Sequence, residues 1–183
     1  MTTSDADAPG PAESPLDAFK ERIGFDARIA AADRRRLVVR DWGGLAEELA
    51  HLGGFEVATQ SAAPAPPAAG PLATRVVLSG AVRQARVSVS LTQTATVDAA
   101  AAVFLDEVSS TSLVAIPFGP GPDDLGIVSA VYAIGGPGGS VLAVIQNLCV
   151  DVRASDRAVA VALCRVIQAI ADRSPAPPRG APP

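Results

Sequence analysis

The chain has 183 residues, a formal net charge of −4, two cysteines, one histidine and seven aromatics (five Phe, one Trp, one Tyr). That length gives one domain of ordinary size. An acidic balance argues against a nucleic-acid binder, which needs a basic face for phosphates, and no apolar run reaches the roughly 18–20 residues that span a bilayer.

Hydrophobic residues make up 49% of the chain, but 36 positions are alanine. Alanine adds little core area, whereas burying a Leu or Phe contributes roughly 1.5–3 kcal/mol. The core must therefore rest on Val, Leu, Ile and the Phe residues, and a compact layered sandwich suits that supply. Fourteen arginines stand against Lys20 alone; with the Ala, Pro, Gly and Val excess, this reads as GC-rich coding bias. Residues 1–13 have neither the basic start nor the apolar stretch of a secretory signal. A cytoplasmic location is expected, or an extracytoplasmic one if a signal stands ahead of the sequence given.

Residues 1–13 read as a disordered tail. Ser14 then caps a helix, with Pro15 at its first position, Asp17 in its first turn, and Leu16, Phe19 and Ile23 at helical spacing up to Gly24. The run 35–42, RRLVVRDW, reads as a short strand, and LAEELAHL as a second helix with Leu45, Leu49 and Leu52 on one stripe. Residues 14–60 hold too few large apolar groups to fold alone, so this segment should dock on a larger body. SAAPAPPAAGP, 61–71, reads as a Pro/Ala linker.

The body spans 72–173. Residues 75–82 and 85–93 alternate apolar and polar, the pattern of half-buried antiparallel strands. Thr96 caps a helix with the stripe Val97, Ala101, Phe104, Leu105 and Val108. A short apolar run at 113–118 leads to the loop Phe118–Asp124. Residues 127–134 and 140–152 read as two strands joined by a Gly-rich hairpin tip around Gly135–Gly139. Ser155 caps the last helix, with the stripe Val159, Leu163, Val166, Ile167 and Ile170, before a disordered Pro-rich tail, 174–183. The two stripes match at an offset of 62 residues, which suggests a ββα pseudo-repeat. The expected fold is α+β, a two-layer sandwich with an antiparallel sheet of about four to six strands and helices packed on one face.

Catalytic motifs are missing from the sequence: no G-x-S-x-G, S-x-x-K or H-E-x-x-H occurs. His51 follows Glu47 by four residues and reads as an exposed helix residue. One histidine and two cysteines make a zinc site implausible, and no metal or cofactor is expected. Cys149 and Cys164 lie among apolar residues and read as buried free thiols, with a disulfide as the alternative. Asp123 and Asp124 sit in a rigid Pro/Gly loop that reads as a solvated turn, too poor in ligands for calcium, and it is the first choice for a recognition loop if the chain has one. Asn147, the only asparagine, interrupts an apolar strand; with Gln146 it is a candidate to line a polar pocket or to sit at an edge. Arg34, Arg35 and Arg36 read as a solvated turn, or as a contact for an acidic partner.

The run from Asp124 to Ala154 followed by an amphipathic helix resembles the end of small α+β sensor and lipoprotein domains of GC-rich bacteria. The overall helix–strands–helix order with an acidic balance is also similar to secretion-chaperone and Roadblock-type dimerisation domains. Neither resemblance carries a catalytic motif or site residues onto this chain. The expected function is a non-catalytic binding or protein-interaction module, of sensor, chaperone or dimerisation type. Its candidate contact residues are Phe118, Asp123, Asp124, Gln146 and Asn147. A protein partner or a second copy is the expected partner, with a small-molecule ligand as a further option. The alternative is an enzyme whose site is assembled from scattered Asp, Arg and Ser residues.

Overall fold

Ser14 opens the first helix as expected: its Oγ accepts the Asp17 N–H at 3.1 Å, and Pro15 begins α1 (Pro15–Arg22). The computed structural model describes residues 14–110, 117–133 and 137–174. Gly24, where the first helix was expected to stop, has φ +63° and turns the chain into a further short helix, α2 (Phe25–Ala31), which the sequence reading did not anticipate. A non-glycine residue there would be strained.

An irregular segment leads to α3 (Leu45–Gly53) and then into β1 (Phe55–Ala63). The hairpin β2 (Thr74–Val82) and β3 (Ala85–Gln93) precedes α4 (Val97–Ser110), whose Ala99 N–H is accepted by Thr96 Oγ1. The short β4 (Phe118–Pro120), then β5 (Val128–Ala133), β6 (Gly139–Ile145) and β7 (Leu148–Ala154) complete the sheet before α5 (Arg157–Arg173). All pairings are antiparallel, in the order β1-β2-β3-β7-β6-β5-β4.

The α+β sandwich class holds, with seven strands where four to six were expected. The apolar run 140–152 is two strands, because it turns at Gln146-Asn147 between the paired residues Ile145 and Leu148. The unit strand–strand–helix occurs twice, as β2–β3–α4 and β6–β7–α5. Both hairpins turn on two residues, and the first of each, Arg83 and Gln146, has φ +54°. Neither turn carries the glycine that usually marks such a bend.

Helices cover both faces of the sheet, where one was expected. Along β6 the side chains alternate between two cores: Val141, Ala143 and Ile145 enter one, Leu142 and Val144 the other. The first core holds α3 and α5 residues, including Leu45, Leu49, Leu163 and Ile167, with Trp42 and Phe55. The second holds Phe19 of α1, Phe25 of α2, Phe104 of α4 and Phe118 of β4. Phe104 stacks near Phe19 and Phe25, with centroids 6.4 and 5.7 Å away. A strand buried on both sides reads as a continuous apolar run, and VLAVI in β6 is such a run.

Three local expectations give way. Residues 35–42 do not pair in the sheet; they form an extended segment carrying the chain from the α1–α2 side to the α3 side. Residues 61–71 are not a solvated linker: 61–63 finish β1, and the 3-10 turn Pro67–Ala69 packs against α4 with Ala69 buried. Small Ala and Pro side chains fit close to the helix there, which is why low hydrophobic content misled. Asp156, not Ser155, caps α5 by accepting the Ala158 N–H at 2.8 Å. Ser155 Oγ instead accepts the Arg86 N–H. The tails 1–13 and 175–183, the run 111–116 and residues 134–136 of the Gly-rich tip lie outside the described residues.

Candidate functional site

Asn147 is at the tip of the β6–β7 hairpin and buried, so its amide must be satisfied within the protein. Its Oδ1 accepts the Val38 N–H at 2.6 Å, and its Nδ2 donates to the carbonyls of Val38 at 3.0 Å and Thr94 at 2.6 Å. The side chain thus substitutes for a neighbouring strand and tethers the crossing segment 33–42. Arg34 pairs with Asp98 of α4 on one face, and Arg36 with Asp172 of α5 on the other. Gln146 Nε2 also donates to Asp172. Gln146 and Asn147 both hold the chain crossing, Gln146 through Asp172 and Asn147 through Val38 and Thr94.

Asp123 and Asp124 diverge. Asp123 meets Arg28 of α2 at 2.5 Å, while Asp124 meets Arg165 of α5 at 3.0 Å. The hydrogen bond from Arg165, helped by its charge and opposed by desolvation, holds the Asp124 carboxyl below its ordinary range. Between these pairs, Leu125 is buried in the first core. Gly126, at φ +65°, donates its N–H to Gln168 Oε1, and a Cβ there would stand 2.3 Å from the Val144 carbonyl oxygen. The loop is clamped to helices on both faces. Phe118 is buried against Phe19 and Tyr132, and its carbonyl accepts from Arg22. A small recess of about 220 Å³ lies between Arg22, Arg28 and residues 120–123. Its charges are already engaged in the contacts just described.

Cys149 and Cys164 are buried, free and on opposite faces of the sheet, one in each core. No bridge joins them. Burial, with a further contribution from Asp151, pushes the Cys164 thiol up to about 12 and the Cys149 thiol well above its ordinary range. Neither is a nucleophile at neutral pH.

The nearest approach to an assembled catalytic site is Ser140 Oγ donating to Asp151 Oδ1 at 2.7 Å, with Arg153 Nε donating to Asp151 Oδ2 at 2.8 Å. Ser140 is only 4% exposed, so this triad satisfies buried polar groups and offers a substrate no open approach to the hydroxyl. Among the described residues no three or more His, Cys, Asp or Glu side chains converge as metal ligands, and no helix is long and apolar enough to cross a membrane.

The most site-like feature was not legible in the sequence. An open groove of about 520 Å³ lies where the C-terminal end of α3, the β2–β3 turn and the start of α5 meet. Leu52, Val82, Val159, Leu163 and Val166 supply its apolar lining, and Arg83 and Asp156 its charges. The groove exists because α3 and α5 approach closely at Gly53: a Cβ there would stand 2.9 Å from Leu163 Cδ2. The turn from Gly53 to Gly54 then ends α3, with Gly54 at φ +63°, and leaves Leu52 42% exposed. Alternation and helical periodicity assign these side chains to core stripes; only the tertiary placement of three elements leaves them open. No protein-family model and no curated protein matches this sequence.

Proposed function

We propose that the protein is a non-catalytic binding module that holds an apolar segment of a protein partner in the groove between α3, α5 and the β2–β3 turn. The observation that carries this reading is Leu52: a large aliphatic side chain, substantially exposed, standing beside half-buried Val82, Val159 and Val166 in one concavity. Concave apolar surface with a few polar groups at its rim is the usual form of a binding site, and a groove between helices takes apolar anchors from a docked segment. The two carboxylates of the 121–126 loop are held apart by arginines on opposite faces, which favours binding over acid–base chemistry in that loop.

The test is a backbone amide NMR titration with a neutral, leucine-faced helical peptide. Shifts confined to Leu52, Gly53, Val82, Val159 and Val166, and abolished by Ala162→Glu, are expected. Ala162 is an exposed lining residue, so its replacement leaves the cores intact. Shifts centred elsewhere, or unaffected by Ala162→Glu, would sink the reading.

A further inference from the structure

We infer that β1 is a dimerisation edge: two copies of the chain pair their β1 strands antiparallel about a two-fold axis at Ser61, joining two sheets into one. This is independent of the groove. β1 ends the sheet, and among the described residues it is hydrogen-bonded to β2 alone. Its outward N–H and C=O groups are a template for another strand.

The two edges of the sheet differ. β4 is three residues long and ends in Pro120, which has no N–H to give. β1 runs nine residues with no proline inside it. A bulge at Ala58 interrupts its register with β2, since Val57 faces Gly80 and Thr59 faces Ser79. Pro64 follows its last residue. The regular part is therefore 59–63, with Ser61 at its centre. Thr59, Gln60, Ser61 and Ala62 are all exposed, so the described residues cover neither face of the strand there. Thr59 Oγ1 meets Ser79 Oγ at 2.6 Å, and Gln60 Nε2 donates to the Gly43 carbonyl at 2.8 Å. Both side chains turn back to the protein's own groups and leave the outer backbone clear.

Charge selects the occupant. Sheet edges are commonly guarded by charged side chains, yet no Asp, Glu, Lys or Arg occurs from 57 to 74. A charged strand of another protein finds nothing there to match. A two-fold pairing has the opposite requirement, because a charge near the axis would face its own like. Here Thr59 stands opposite Ala63, Gln60 opposite Ala62, and Ser61 opposite Ser61, neutral in every pair. Glu56, the one charge of the strand, falls opposite position 66, beyond the end of the other copy's β1. Leu72, 81% exposed, precedes Arg75, the β2 partner of Ala63, by three residues and adds apolar surface at that end of the edge. The contact is short against the roughly 1,200–2,000 Å² buried by stable interfaces, so the dimer forms reversibly, at high protein concentration.

The test is sedimentation equilibrium of the full chain across a dilution series. The mass is expected to rise from 18.5 kDa toward twice that value as concentration increases. Ser61→Lys and Ser61→Glu each set like charges across the axis and should weaken association about fivefold or more. An equimolar mixture of the two variants should recover it. Position 61 is exposed, so the thermal melt of each variant should match that of the unaltered chain. A monomer at every concentration would overturn the inference. So would a dimer that neither variant weakens, or a mixture that associates no better than its components. Ala162→Glu, which alters the groove, should leave the dimer intact; loss of association in that variant would assign self-association to the groove and overturn pairing through β1.

Discussion

Asn147 shows how one side chain can decide where the chain goes. Replacing it with alanine strands the Val38 N–H and the Val38 and Thr94 carbonyls in a buried place. At about 1–3 kcal/mol for each unsatisfied buried group, the expected loss is about 3 kcal/mol or more. Asn147→Asp keeps the volume but sets an oxygen against two carbonyls, so it should be no better than alanine. Urea midpoints measure both; a wild-type midpoint for Asn147→Asp would show that the donor bonds do not matter. The cysteines give a second expectation, this time in pH. Unfolded thiols ionise near 9.0, whereas Cys164 in the folded protein keeps its proton until about 12. The folded state thus binds more protons over that interval, and stability falls as pH rises through it. The contribution is fully present below about pH 9 and lost as the pH passes the folded value. The variant Cys149→Ala/Cys164→Ala should start from a lower stability, because two cavities open, and should lose less of it between pH 9 and 12 in alkaline urea melts. An unchanged alkaline slope would rule out the thiols as its source.

At the scale of elements, what the sequence announces is whatever repeats along a strand or helix. The β3 bounds, 85–93, follow from strict alternation, and the α4 and α5 stripes from helical spacing. Position-specific features were less legible. The turn at Gln146-Asn147 carries no Gly or Pro and sits inside an apolar run, so β6 and β7 read as one strand. The extended run 37–42 has strand-like composition, yet its hydrogen bonds go to side chains, Asn147 for Val38 and Gln93 for Arg40. The prolines at 64, 66 and 67 signalled a linker, but Pro64 and Pro66 join β1 to a turn packed on α4 that Pro67 opens. Asp123 and Asp124 were legible as a pair in an ordered loop, but their separation onto α2 and α5 depends on partners 95 and 41 residues away. That clamp can be tested by titration. Arg165→Gln should return the Asp124 carboxyl upward into the ordinary carboxylate range, read from its side-chain NMR shift. The stability that Arg165 contributes is present above that range and lost as pH falls through the depressed folded value, so the variant should lose less on acidification. An unmoved Asp124 titration would mean that Arg165 is not its partner in solution. Within the second core, Phe104→Ala removes a ring stacked near two others and is expected to cost about 3–5 kcal/mol in a urea melt.

At the scale of the whole molecule, the two cores share β6 and β7, and this has a consequence for unfolding. Val141, Ala143 and Ile145 cannot leave the first core without carrying Leu142 and Val144 out of the second. The segment 14–60 contributes Phe19 and Phe25 to one core and Leu45 and Leu49 to the other, so it does not sit on the sheet as a separable layer. Arg34 and Arg36 tie its crossing to helices on both faces. The protein should therefore unfold in one cooperative step. Each core has its own reporter: Trp42, the only tryptophan, is buried in the first, and Cys149 in the second. In a Cys164→Ala background, Trp42 fluorescence and the reactivity of Cys149 toward a thiol reagent should change at the same urea concentration. A Cys149 transition clearly below that of Trp42 would show the α1–α2–α4 layer opening first, and the shared strands would then not couple the two cores.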